Sequence, residues 1–383
     1  MGEPIRVTEV RGRCDLRHFL DLSQRIYKGD PNWVAPLRRE VGKLLDRQRH
    51  PFFDHGEAGF WLAWRGNTPV GRISAQVNRL HLESHRDATG NFGLLEAVDD
   101  PDVFEALLGT AEAWVRARGL ARILGPYNVS MNDEIGVLVS GFEHPPVIAM
   151  THAPPYYGPR LERAGYAKAK DLFAFRFEID EARNKSIADM LQHAARIDRE
   201  GRVRVRHIDM RRFEAEMRAG IAVYNDGWSA NWGFVPVTPR EVEHLLAALK
   251  PVINPLGILL GEIDGKIEGL FVAIPDLNEL IADLDGRLFP LGWAKLLWRL
   301  RTRTPQGGRV MLAGLTRAYQ NSALGAAMLL WMFADIFKSA RELGYRYVEF
   351  SWVLEDNARS IALCERYGGW RYKTYRLYQK ALV

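Results

Sequence analysis

Apolar and polar residues alternate over Ile5–Val10, the two-residue period of a strand, and the pattern then turns helical: from Asp15 to Tyr27, Phe19, Leu20, Leu22 and Ile26 supply one apolar side. Phe60–Trp64 and Pro69–Val77 predict two strands, joined as a hairpin through Arg65-Gly66-Asn67-Thr68. Asp100-Pro101 reads as the cap and first residue of a helix whose apolar face, Phe104, Leu107, Leu108, Ala111 and Val115, runs toward Gly119. A strand at Arg122–Pro126 follows. The second half repeats the order, with a strand at Arg202–Ile208, a helix at Phe213–Tyr224, and strands Leu256–Ile263 and Lys266–Ile274 joined by Asp264-Gly265. Then come a buried strand, Arg309–Thr316, a tight loop, Gln320–Gly325, and a helix from about Leu324 to Leu343 that stops at Gly344. Leu324–Ala334 holds no charged residue, so this helix is expected to be central and covered on most sides. A strand at Tyr345–Trp352 and a short helix running to Gly368-Gly369 complete the series.

The repetition extends to particulars. Leu161-Glu162-Arg163-Ala164-Gly165 aligns with Cys364-Glu365-Arg366-Tyr367-Gly368, and each is followed by an aromatic-rich strand. The pattern predicts two copies of one α/β unit with a mixed sheet, residues 1–178 and 179–383. The copies differ in charge. Where the first should carry a phosphate loop it has Asn91–Asp100, with Glu96, Asp99 and Asp100 and no small-residue cradle, so an anion would be repelled there.

Composition narrows the class without choosing a substrate. With 47% hydrophobic and 26% charged residues over 383 positions, the chain reads as globular, with room for two cores. A formal charge of +5 is a mild basic excess that permits anionic cofactors or lipid head groups and selects neither. Two distant cysteines, Cys14 and Cys364, fit a reducing compartment, and no apolar run reads as long enough to span a bilayer, so a cytoplasmic protein is expected. His50 with His55 and His81 with His85 lack further ligands nearby, and no metal is expected.

The chemistry concentrates late in the chain. A loop of small residues between strand and helix directs unpaired backbone N–H groups outward at the positive end of the helix dipole, which suits a pyrophosphate. Gln320-Asn321-Ser322-Ala323-Leu324-Gly325, with Asn357 opening a helix that ends at Gly369, resembles the signature of the GNAT superfamily of CoA-dependent N-acyltransferases. The resemblance implies a tandem GNAT-like fold with acyl-CoA as donor, bound by Leu315, Thr316, Gln320, Asn321, Ser322, Ala323, Leu324, Gly325, Ala326 and Asn357. It also implies a strand bulge at Gly314–Thr316, aiming an amide at the thioester carbonyl. Ala323 replaces the first glycine of the motif. Cys364 stands where many members carry a tyrosine and Gly369 where a phenylalanine is usual.

Amide formation also calls for a carboxylate base, for which Glu349, Asp276 and Glu355 are the candidates; Glu349, between Val348 and Phe350, departs most from a solvated carboxylate. Phe289–Arg303 plots as an amphipathic helix with Phe289, Trp293, Leu296, Leu297 and Leu300 on one face and Lys295, Arg299 and Arg303 to one side. That is the pattern either of a helix docked on the core or of peripheral contact with anionic lipid. The runs Trp33–Leu37, His50–Phe53, Asn231–Pro236, Pro275–Asn278 and Ser351–Asn357 resemble those of a bacterial, ceramide-synthase-like group of large GNAT-related proteins. That resemblance implies a long-chain acyl donor and a lipid amine of sphingoid type, with Asn225, Trp228, Trp232, Phe234 and Asn278 lining the acceptor pocket. Nucleic acid is not expected, the rival readings being an aminoacyl-tRNA-dependent transferase and a non-catalytic binding protein of the same fold.

Overall fold

A computed structural model describes residues 3–382. They form two compact units, one made of the chain up to Leu172 with Ile281–Trp298 and Lys373 onward, the other of Phe173–Leu280 and Arg299–Tyr372.

In the first unit β1 (Ile5–Glu9), β2 (Gly56–Arg65), β3 (Thr68–Asn78) and β4 (Thr89–Ala97) pair antiparallel in sequence order. α1 (Arg13–Ile26) lies between β1 and β2, and α2 (Pro101–Arg116) leads from β4 to β5 (Arg122–Gly125), which runs parallel to β4. β6 (Val137–Ser140) follows, and β7 (Ala167–Glu178) carries the chain into the second unit. The apolar positions that predicted α2, Phe104, Leu107, Leu108, Ala111 and Val115, are all buried, together with Val103 and Glu112. Asn91–Ala97, expected as a loop, is part of β4; the real connection to α2 is Val98–Asp100.

The second unit contains α3 (Ala182–Ile197), β8 (Val203–His207), α4 (Phe213–Trp228), α5 (Pro239–Leu249), β9 (Ile258–Ile263) and β10 (Lys266–Pro275). After α6 (Gly292–Thr302) come β11 (Gly307–Leu315), α7 (Ala323–Glu342), β12 (Tyr347–Leu354), α8 (Ala358–Arg366) and β13 (Trp370–Ala381), whose last residues return to the first unit and pair antiparallel with β5. β8, β9, β10 and β11 are antiparallel neighbours and β11 runs parallel to β12. The order hairpin, strand, helix, parallel strand thus occurs twice. Gly165 and Gly368, paired in the sequence alignment, both adopt positive φ just past a helix end, a conformation open to glycine at little cost.

α7 is long and apolar enough to cross a membrane by length and composition, contrary to the expectation that no run is, but most of it is buried. Ala327, Met328, Phe333, Ala334 and Phe337 pack into one core with Phe177, Phe271, Val310, Val348 and Phe350. Phe333 stacks on Phe350 at 4.6 Å. A side chain at Gly269 of β10 would put its first carbon 2.5 Å from the Met328 sulfur, which packs over that glycine.

Candidate functional site

β11 and β12 share a ladder only from Gly307↔Tyr347 to Val310↔Phe350, although β11 continues to Leu315 and β12 to Leu354. Beyond Val310 the two strands part. On the other side of β11 the register against β10 slips between Val310 and Leu312, leaving Met311 as an extra residue. The bulge therefore sits at Met311, not at Gly314–Thr316, and it coincides with the end of the parallel ladder, where β11 must bend away. Gly314 serves a different purpose, since a Cβ there would stand 3.3 Å from the Trp228 indole nitrogen. Burial follows the split: Gly307–Val310 are buried, Met311–Gly314 only partly so.

The expected anion loop follows directly. Ser322 caps α7, its Oγ accepting the Gly325 amide at 3.0 Å. The Ala323 and Leu324 amides occupy the first helical turn, where no intrahelical acceptor exists. Gly325 is packed so closely that a Cβ would lie 1.9 Å from the Tyr319 carbonyl oxygen. Gln320 is used structurally: its Nε2 donates to the carbonyls of Gly227 at 2.6 Å and Leu315 at 3.1 Å, fixing the loop to the end of α4. The Thr316 hydroxyl donates to Glu268 at 2.5 Å. Asn357 caps α8 by accepting the Ser360 amide at 3.1 Å, and two residues on, the exposed Arg359 donates to the Gln320 carbonyl at 3.1 Å and to the Asn321 side chain. Sequence reasoning missed Arg359. Its signal was a cation in a first helical turn, where the helix dipole disfavours one.

Glu349 has no exposed surface. Because Val348 and Phe350 enter the core beneath α7, strand alternation turns Glu349 and Ser351 to the opposite face. There the carboxylate accepts hydrogen bonds from the Tyr372 and Ser351 hydroxyls. Arg309, directly across the ladder, donates through Nε to Ser351 Oγ at 2.8 Å. A carboxylate, phenol, hydroxyl and guanidinium thus meet at the last residues before the strands separate.

An aromatic wall stands beside the gap. Trp228, at the end of α4, donates its indole N–H to the Ala313 carbonyl at 2.9 Å and meets Trp352 of β12 edge to face at 5.6 Å. Tyr224 and the buried Phe234 extend the cluster, with ring centroids 5.8 Å apart, and Trp232 is half-buried in the same loop. Asn225 pins that loop by donating to the Val237 carbonyl and accepting its amide, both at 3.0 Å.

The structure does not bring every candidate to this place. Asp276 follows the end of β10, and its amide donates to the carbonyl of Gly307, the first residue of β11; the anion loop follows the last. Tyr347 donates to Asp276 at 2.9 Å and to Glu279 at 3.0 Å, and burial with these two carboxylates raises the Tyr347 pKa well above the usual phenol range. Asn278 shares that end, its amide bonded to Asp276 at 3.2 Å. Glu355 follows β12, half-buried and next to the start of α8. Cys364 is buried, which pushes its thiol up to about 12 and keeps it protonated.

No family model matches the chain. It is 42% identical over 379 residues to bacterial ceramide synthase of Caulobacter vibrioides, covering 99% of this chain and 98% of that protein. It is 38% identical over 368 residues to protein YghO of Escherichia coli, covering 96% and 93%. Among solved structures, a tandem GNAT protein from the clavulanic acid biosynthesis pathway superposes with a TM-score of 0.58 over 99% of both chains at 12% identity, a likeness of fold. The chain belongs to the bacterial ceramide synthase family, has the tandem GNAT fold and is an N-acyltransferase.

Proposed function

We propose that the protein transfers a long acyl chain from acyl-CoA to the amino group of a sphingoid-type lipid, giving an amide. The observation that carries this reading is the gap between β11 and β12, half-exposed along Met311–Gly314, with the Ser322–Leu324 turn and Arg359 at one end and the Glu349 network at the other. The relative named bacterial ceramide synthase supports the choice of amine.

The Ala323 and Leu324 amides and the Arg359 guanidinium hold the pyrophosphate, and the thioester arm lies along the free edge of β11. Met311–Gly314 supply backbone N–H groups toward the carbonyl oxygen, which gains negative charge as the amine nitrogen attacks. Glu349 accepts the proton the amine gives up as the C–N bond forms. The C–S bond breaks and the departing thiolate takes a proton back, so the network ends as it began. Trp228, Trp232, Phe234 and Trp352 wall the acceptor's apolar chain. Asp276 and Asn278, at the far end of β11, hold structure there instead. The first unit serves as scaffold. A lipid amine partitions to a bilayer, so the enzyme works in the cytoplasm, peripherally at the inner membrane face.

The test is thermal unfolding of the purified protein with CoA, acetyl-CoA or palmitoyl-CoA, beside Gly325→Glu and the exposed-site variant Arg359→Ala. Saturating palmitoyl-CoA is expected to stabilise the wild type by about 2–3 kcal/mol at a hundredfold excess over Kd. That gain should vanish in Gly325→Glu and shrink in Arg359→Ala. No shift with any CoA species would remove the donor assignment.

A further inference from the structure

α6 is inside out. A helix docked on the core would turn its apolar residues in and its basic ones out, yet here the arginine is inside: Arg299 is 7% exposed, and its guanidinium donates to the Leu280 carbonyl at 2.7 Å. The large apolar residues face water. Phe289 is 81% and Leu291 73% exposed in the approach to the helix, and Trp293, Trp298, Leu297 and Leu300 are 51%, 55%, 41% and 41% exposed along it. Lys295 holds the orientation through Asp283 at 2.5 Å.

Six large apolar side chains within twelve residues make a ridge, and one that faces water marks a docking surface. Charge selects the occupant. From Gly286 to Arg303 the chain carries Arg287, Lys295, Arg299, Arg301 and Arg303 and no Asp or Glu, and Arg287, Arg301 and Arg303 are exposed. A second copy docked here about a two-fold axis would set these cations against themselves. Anionic head groups would neutralise them, while tryptophans and leucines enter the boundary with the acyl chains.

We propose that Phe289–Leu300 insert into the head-group boundary of an anionic phospholipid bilayer, with Arg287, Arg301 and Arg303 against the phosphates. This deepens the lipid-amine reading and rests on it for its purpose, although vesicle binding is measured without substrate.

The experiment is co-sedimentation of the full chain with sucrose-loaded vesicles of phosphatidylcholine alone or mixed with phosphatidylglycerol. The wild type is expected to pellet with the mixed vesicles and about tenfold less with the neutral ones or in high salt. The variant Phe289→Ser/Trp293→Ser/Leu297→Ser should lose about tenfold or more in partition. It should keep the wild-type melting temperature and the wild-type rate on a detergent-dispersed amine. A wild type that ignores both vesicles, or a triple variant that pellets like wild type, overturns the proposal. So does a wild-type dimer, seen by light scattering, that the triple variant abolishes. Vesicle binding without acylation of any long-chain amine would instead sink the lipid-amine reading and leave this surface standing.

Discussion

The two units begin their crossover helices in opposite ways. In the first, Asp100 caps α2, accepting the Asp102 amide at 2.9 Å, while Pro101 removes one N–H altogether; Arg65 binds the same carboxylate at 2.5 Å and Asp99 is held by Arg160 at 2.8 Å. In the second, a neutral Ser322 caps α7 and an arginine stands beside the turn. The strand gaps differ in the same sense. β4 also slips register past its parallel ladder, but the chain after β5 folds back over it: Tyr127 donates its amide to Phe92, and Asn128 accepts the Leu94 amide at 3.0 Å. The Gln76 side chain holds the Tyr127 carbonyl at 2.7 Å, and β4 is buried nearly throughout. The corresponding stretch of β11 stays half-exposed. The first unit has covered its strand edge internally; the second leaves that of β11 half-exposed.

The largest effect is expected at Glu349. Glu349→Gln keeps the shape and one acceptor oxygen but cannot take a proton, so steady-state kinetics should show kcat down by roughly a hundredfold to ten-thousandfold with the donor KM little changed. A variant with wild-type kcat would remove Glu349 from the chemistry. Arg359→Ala should weaken CoA binding by about tenfold, the loss of one charge-assisted contact, as read by calorimetric titration at low salt. Equal affinities in the two proteins would leave the cradle to backbone amides alone.

The smallest effect lies in the first unit. Asp100→Ala should cost about 1 kcal/mol of stability in denaturant titration, as loss of a cap does, and leave CoA affinity untouched. The hydrogen bond from Arg65 holds the Asp100 carboxyl below the usual aspartate range, helped by backbone amides. Its folded-state pKa is depressed, so its contribution is complete above the ordinary aspartate value and is lost as pH falls through the folded value. The wild type should therefore shed stability more steeply than Asp100→Ala on acidification. Parallel acid limbs would show that the Arg65 pair adds nothing.

Much of this was open to reading along the chain. The duplication, the hairpins, the start of α2 and the turn from Gln320 to Gly325 rest on local rules, alternation, caps and glycine, which act between neighbours in sequence. Glu349 stood out for a similar reason, a charge between Val348 and Phe350 in a core strand. Its distant partners did not: Tyr372 reaches it from β13, and only the ladder between β11 and β12 makes Arg309, bonded to Ser351 beside it, its opposite number. That Asp276 and Asn278 lie at the end of β11 away from the turn was visible only once β10 and β11 were paired. The facing of α6 stayed open in the sequence because helical periodicity gives a helix two sides without saying which is in; Leu280 and Asp283 hold Arg299 and Lys295 in the fold. Sequence by itself determined the repeated unit and the turn that opens α7, since both follow from local backbone and side-chain preferences. Tertiary structure alone decided which gap stayed open, what surrounds the buried carboxylate and which side of α6 meets water, because each depends on residues distant in the chain competing for the same space.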